Sequence, residues 1–251
     1  MNGWEAVAVI AAGMAAGGVN AVVGSGSLIT FPTLLAVGYA PVTANVSNNI
    51  GLVPGSVTST LGFRRELAGQ GTRARTLAAG SATGSLIGAA LLLKLPSEVF
   101  DAVVPILVLG AALLMAVQPR LSALVAGRRK EDARDVGVAP VAIAFVAGIY
   151  GGYFGAAQGI ILLTMLSIFV PDEMKRSNAL KNLLAGTVNT VAAVFFVVFA
   201  DVAWEAVALV AVGAIVGGYL GAHVGRRINP MLLRWIVVVL GVAVAIKLML
   251  D

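Results

Sequence analysis

Residues 176–199 read RSNALKNLLAGTVNTVAAVFFVVF. At 1.5 Å per residue this run covers the roughly 30 Å of a bilayer's hydrocarbon core, and its last two-thirds are almost entirely apolar. Its first third carries Ser177, Asn178, Lys181 and Asn182, groups that cost free energy in hydrocarbon unless they find partners. A similar run occurs earlier, at 42–62, with Asn45, Ser47, Asn48 and Asn49 near its start. Working outward from these two, we expect ten apolar helical segments: 4–23, 28–39, 42–62, 76–94, 99–118, 138–155, 160–170, 176–199, 202–225 and 231–250. The second and seventh are too short to span comfortably and are expected to be half-helices or arms of re-entrant hairpins.

Composition agrees. Of 251 residues, 59% are hydrophobic and 12% charged, against roughly 25% charged in ordinary soluble domains, and mean hydropathy is +0.96. A water-soluble enzyme is excluded, because its exterior would have to be polar. A β-barrel would alternate apolar and polar residues instead of running apolar for 20. With no cysteine, neither disulfides nor thiolate metal sites contribute. The net charge of +5 reflects basic loops on one side of a membrane and not a nucleic-acid partner. The opening residues, Met1 to Glu5, lack the basic region of a signal peptide, so the first apolar segment is expected to be retained.

The two halves of the chain resemble each other. Gly17 and Gly24 are spaced like Gly148 and Gly155; Asn45 and Asn49 like Asn178 and Asn182; Gly55-Ser56-Val57-Thr58 is echoed by Gly186-Thr187-Val188-Asn189. The offset stays between 131 and 133. Corresponding loops differ in charge. The loop after the third segment carries Arg64, Arg65, Arg73 and Arg75, and its counterpart carries Asp201 and Glu205. Glu98 and Asp101 after the fourth segment correspond to Arg226, Arg227 and Arg234 after the ninth. Loops of opposite character belong on opposite sides of the membrane, the mark of inverted repeats. We therefore expect an all-α polytopic membrane protein of two inverted repeats. Each has about five helical segments, four long and one short or re-entrant, for 8–10 in total. Residues 1–118 form the first repeat, 119–137 a basic cytoplasmic linker and 138–251 the second repeat. Fourteen of the 17 basic residues then lie in the cytoplasm, and both termini lie outside; a parallel repeat would strand one basic loop on the wrong side.

Inverted repeats place a substrate site near the midplane at discontinuous helices. Two places per half meet that description. One is the glycine-rich break Gly24-Ser25-Gly26-Ser27, matched by residues 155–159 with Gln158. Glycine frees the backbone there, and the amides opening the following half-helix attract anions; close helix packing is the alternative reading. The other is the polar cluster of Asn45, Ser47, Asn48 and Asn49 with Asn178, Lys181 and Asn182, extended by Asn20, Gln158 and Asn189. Interhelical hydrogen bonding that only holds the bundle together is its alternative. Lys181, with no carboxylate in the apolar runs, suggests an anionic ligand, or else it snorkels to the interface beside Lys175 and Arg176. His223, one turn from Arg226, is expected to be an interfacial polar residue, and Trp4, Trp204 and Trp235 interfacial anchors. Every Asp and Glu maps to a loop or a segment end, so no carboxylate relay is visible. No nucleotide-binding, zinc-protease or nucleophile-elbow motif appears. No cofactor is called for, and no enzyme.

In Gly17-Gly18-x-Asn20 through Gly24-Ser25-Gly26-Ser27-Leu28-Ile29-Thr30-Phe31-Pro32, then Ala44-Asn45-x-Ser47-Asn48, and in Gly148-x-x-Gly151-Gly152 through Gly155, Gly159 and Asn178–Asn182, the chain resembles the sulfite exporter TauE/SafE family of bacterial membrane transporters. It departs from that family's G-x-G-G-G-like stretch at both breaks, and Pro32 has no counterpart in the second half. The resemblance implies outward movement of small sulfur-containing anions, such as sulfite or organosulfonates like sulfoacetate, across the cytoplasmic membrane. The site residues expected to meet the substrate are Asn20, Gly24, Ser25, Gly26, Ser27, Asn45, Ser47, Asn48, Asn49, Gln158, Asn178, Lys181, Asn182 and Asn189. A passive anion channel, a transporter of another small organic anion and a non-transporting scaffold are the rival readings. The expected partners are a small anion and the lipid bilayer; a homodimer through small-residue faces stays open.

Overall fold

The computed structural model describes residues 1–126, 137–170, 172–224 and 230–250. Ten helices are found among them: α1 (Gly3–Val22), α2 (Ser27–Ala36), α3 (Pro41–Gly62), α4 (Gly71–Lys94), α5 (Ser97–Ala126), α6 (Val138–Tyr153), α7 (Gln158–Phe169), α8 (Met174–Phe199), α9 (Trp204–Val224) and α10 (Pro230–Leu250). Each expected segment corresponds to one helix, and the described residues form no strand. Five helices, α1, α4, α5, α8 and α9, are long and apolar enough to cross a membrane, whereas α2, α6 and α7 are apolar but short. Two boundaries differ from expectation. Arg73 and Arg75 lie in the first turns of α4 and not in a loop, and α5 continues through Pro119 to Ala126. A hydropathy pattern marks where a helix meets hydrocarbon, and a helix that projects beyond the bilayer carries on past that mark. The linker expected at 119–137 thus begins within α5, and its basic run, like Arg226 and Arg227, lies outside the described residues.

Packing joins helices from opposite halves: α1 lies on α9, α4 on α6, α3 on both α8 and α9, α4 on α8 and α5 on α10. Every such pair maps onto another, or onto itself, when α1–α5 are exchanged with α6–α10. The closest contacts use glycines four apart. A Cβ on Gly13 would lie 2.6 Å from the Val210 carbonyl oxygen, and one on Gly17 2.8 Å from the Gly218 nitrogen. In the corresponding pair, Gly84 and Gly88 of α4 meet the carbonyls of Phe145 and Ile149, while Gly148 and Gly152 of α6 meet those of Ser81 and Ser85. Lipid tails are as apolar as leucine, so helices in a bilayer gain little by burying large side chains. Close backbone approach through small residues supplies the dispersion contacts instead.

The contacts also fix direction. Gly13 and Gly51 both meet Val210, and Gly17 and Gly55 both meet Ala214, so α1, α3 and α9 run in parallel. After α3 a short turn leads directly into α4, which runs back beside α6. Large apolar side chains cover the outside, among them Ile106, Val194, Phe199 and Val239, all exposed; a surface of that kind is suited to lipid. Trp4, Trp204 and Trp235 are exposed near helix ends.

Candidate functional site

The two short helices exist because the chain turns sharply in front of each. Between α1 and α2, Gly24 holds φ at +91°; between α6 and α7, Gly155 holds +80° and Ala157 +60°. Glycine occupies the left-handed region without penalty, whereas Ala157 pays for its Cβ. The two turns meet backbone on backbone. The Gly159 amide donates to the Gly24 carbonyl at 3.0 Å, and a Cβ on either residue would come within 2.5 Å of the other's Cα. Behind them Phe31 and Phe154 pack edge to face with centroids 5.4 Å apart, and Phe100 closes against Phe154.

A helix whose end is buried among its neighbours exposes carbonyls that water cannot reach. The buried asparagines answer this. Asn178 and Asn182 of α8 each donate an Nδ2 hydrogen to the Ala21 carbonyl, at 3.1 and 3.2 Å, and Lys181 Nζ donates to the Asn20 carbonyl at 3.0 Å. In the corresponding position of the other half, Asn45 Nδ2 donates to the Tyr153 carbonyl at 2.9 Å, closing the end of α6. Lys181 is fully buried, and the positive charge suits the negative end of the α1 dipole. Asn20 itself turns forward: its Oδ1 accepts from the Gly26 amide at 2.7 Å, capping the start of α2.

Beside the crossed turns lies a cavity of about 30 Å³, room for a water or two and too small for a sulfite ion. Among the expected site residues, Asn20, Gly24, Ser27, Gln158, Asn182 and Asn189 line it. The others stand off the wall. Ser25 Oγ donates to Met115 Sδ, Asn48 accepts from Thr30, Ser47 Oγ accepts the Ala203 amide, and Gly26, Asn45, Asn178 and Lys181 are engaged as above. Asn49 is buried with its Oδ1 unpartnered. Five lining residues lie outside the expected set, Gly155, Gly159 and Ala185 with the two polar ones, Ser56 and Ser59 of α3. The two serines are the ones that matter chemically. They continue the Asn49 face at helical spacing, and that periodicity was the available signal. Gln158 Nε2 and Ser59 Oγ are buried on the wall without a hydrogen-bond partner, and the described residues of the wall include no carboxylate. Among the described residues no cluster of His, Asp or Glu side chains is placed to hold a metal ion.

Outside the helical core, Asp172 ahead of α8 accepts from Arg176 Nε at 2.7 Å and from Arg73 Nη1 at 3.1 Å, tying the start of α4 to the start of α8. Gln70 strengthens the clasp by donating to the Arg176 carbonyl. Burial alone would raise the Asp172 carboxyl, but hydrogen bonds from Arg176, the Glu173 amide and Arg73 outweigh it and hold the group below its ordinary value.

A multi-pass helical protein with its polar groups gathered around two broken hairpins belongs to the membrane transport class. The chain belongs to the sulfite exporter TauE/SafE family, whose profile matches residues 9–248. It is 27% identical over 240 residues to the "Probable membrane transporter protein YfcA" of Escherichia coli (strain K12), covering 95% of this chain and 87% of the relative. Identity is 26% over 238 residues to the "Probable membrane transporter protein ORF9" of Sinorhizobium sp, at 94% and 89% coverage. With a "Probable membrane transporter protein" of Haemophilus influenzae it is 23% over 239 residues, at 95% and 92% coverage. No solved structure matches the chain.

Proposed function

We propose that the protein is a secondary transporter that exports small sulfur-containing anions, such as sulfite or organosulfonates, by alternating access at the crossing of its two hairpins. The observation that carries this reading is the cavity wall: two buried donors without partners, Gln158 Nε2 and Ser59 Oγ, beside the half-helix starts at Ser27 and Gln158, and no acid. A compact oxyanion is stabilised by such fixed donors, and the positive ends of α2 and α7 add to the same field. The anion is not paired with Lys181 in this conformation. The ammonium instead offsets the negative end of α1, which would otherwise repel an anion held nearby.

The small cavity favours a carrier over a passive channel. Substrate enters only when the Gly24–Gly159 contact parts on one side, and the Asp172 clasp is a second closure that has to open. In this reading residues 1–118 and 138–251 are inverted repeats, the basic linker faces the cytoplasm of the bacterial inner membrane, and both termini face away from it.

Flux into proteoliposomes tests the proposal, with sulfite and sulfoacetate set against chloride and a zwitterionic amino acid over a concentration series. Saturable flux selective for the sulfur anions is expected. Flux that rises linearly with concentration would mean a channel, and selectivity for another anion would move the substrate assignment.

A further inference from the structure

A second, much larger cleft opens on the other side of α3. It encloses about 670 Å³ where α3 and α9 finish and the turn toward α4 begins. It is separate from the anion cavity: Ser56 and Ser59 face the cavity, whereas Thr58 and Leu61 line the cleft. Its walls are of two kinds. Leu61 and Tyr219 are each 57% exposed and continue the bare apolar face formed by Val57, Val216 and Leu220. At its polar end stand Arg64 and Arg65, both exposed, their guanidinium groups in no ion pair or hydrogen bond among the described residues. His223 closes that end, its Nδ1 held by the Tyr219 carbonyl at 2.8 Å and its ring against the Tyr219 ring at 4.3 Å. Glu66, the one carboxylate among the described wall residues, is itself engaged.

We propose that this cleft binds an anionic phospholipid from the leaflet at the α3 end, with its phosphate between Arg64 and Arg65 and an acyl chain along Leu61, Tyr219 and Val57. The guanidinium fork matches phosphate oxygens in pairs and holds them at a membrane surface better than a point charge would. The apolar wall gives the chains a place that a soluble phosphate would leave empty. Among the described residues, the corresponding place in the other half carries no such pair of arginines. The positions 133 residues on are Val197 and Val198, at 48% and 65% exposure, where a headgroup would find no cation. On the proposed topology the leaflet is the inner one, but the binding claim does not depend on transport.

The test is lipid retention by the full chain, purified in a zwitterionic detergent with added phosphatidylglycerol or phosphatidylcholine and read by native mass spectrometry and thermal unfolding. Phosphatidylglycerol should be retained as a bound lipid and should raise the unfolding midpoint; phosphatidylcholine should do neither. In the Arg64→Gln/Arg65→Gln variant retention should fall by about tenfold or more, since the loss of a single charge-assisted hydrogen bond already corresponds to about tenfold. Leu61→Gln, with both arginines intact, should also weaken it. Soluble glycerol phosphate at equal headgroup concentration should not raise the midpoint. Equal retention by the double variant would overturn the proposal, and so would full protection by glycerol phosphate, which would make the ligand a soluble phosphate. These readouts involve no flux, so a failed transport assay leaves them intact.

Discussion

Lys181 Nζ sits 3.0 Å from the carbonyl oxygen of Asn20, so a fully buried ammonium closes the end of a helix from the other half. Lys181→Met keeps the bulk of the side chain and removes the donor, leaving a buried carbonyl unpaired. We expect it to lower stability by about 1–3 kcal/mol, measured by thermal unfolding in detergent. Among molecules that remain folded, the KM for the anion should change less than in Gln158→Ala, whose side chain lies on the cavity wall.

Where the two turns touch, at Gly24 and Gly159, there is no room for a side chain. Gly159→Ala sets a Cβ 2.5 Å from Gly24 Cα, and overpacking of this kind costs about 1–3 kcal/mol. Transport should fall with it, because the two half-helices are pushed apart beside the proposed anion cavity. Gly18→Ala serves as the control, since its nearest new contact is 3.6 Å away, and it should leave both unfolding and flux close to those of the parent.

Ala157 stands in the left-handed region at φ +60°. Ala157→Gly removes the Cβ penalty and should stabilise the protein by up to about 1 kcal/mol, the gain being offset in part by the freer unfolded chain. A raised unfolding midpoint is the expected result.

The Asp172 clasp has a pH signature. Its carboxyl is held below the ordinary value in the folded protein, so the stabilisation is fully present above the unfolded value near pH 3.9 and is lost as pH falls through the folded one. Asp172→Asn should flatten the acid limb of the stability curve and leave its shape at pH 6–8 unchanged, as unfolding midpoints from pH 7 to pH 3 would show.

Much of the fold was legible because hydropathy and helix length respond to the same bilayer. Segments 42–62 and 138–155 fall within two residues of α3 and α6 at either end. The partners of the polar residues were less legible. Lys181 reads as a lone cation because no carboxylate shares its run, yet its partner is a backbone carbonyl on α1, and backbone carbonyls have no residue type to betray them. Asn45 and Asn178 read as ligands or glue with equal justice; only the positions of the α6 and α1 ends show that each closes a helix. Ser59 was within reach of the helical period from Asn49, but a serine among membrane helices is too common to single out.

The central claim is that the cavity beside Gly24 and Gly159 is the anion path and opens alternately. The chain has no cysteine, so Ser59→Cys introduces a single thiol on that wall. Labelling it with a membrane-impermeant maleimide from each side of sealed vesicles, with and without sulfoacetate, is the most direct measurement; a sulfonate, unlike sulfite, does not react with the reagent. We predict modification from both sides, slowed by sulfoacetate but not by chloride. Modification from one side only, or a rate indifferent to sulfoacetate, would contradict the account.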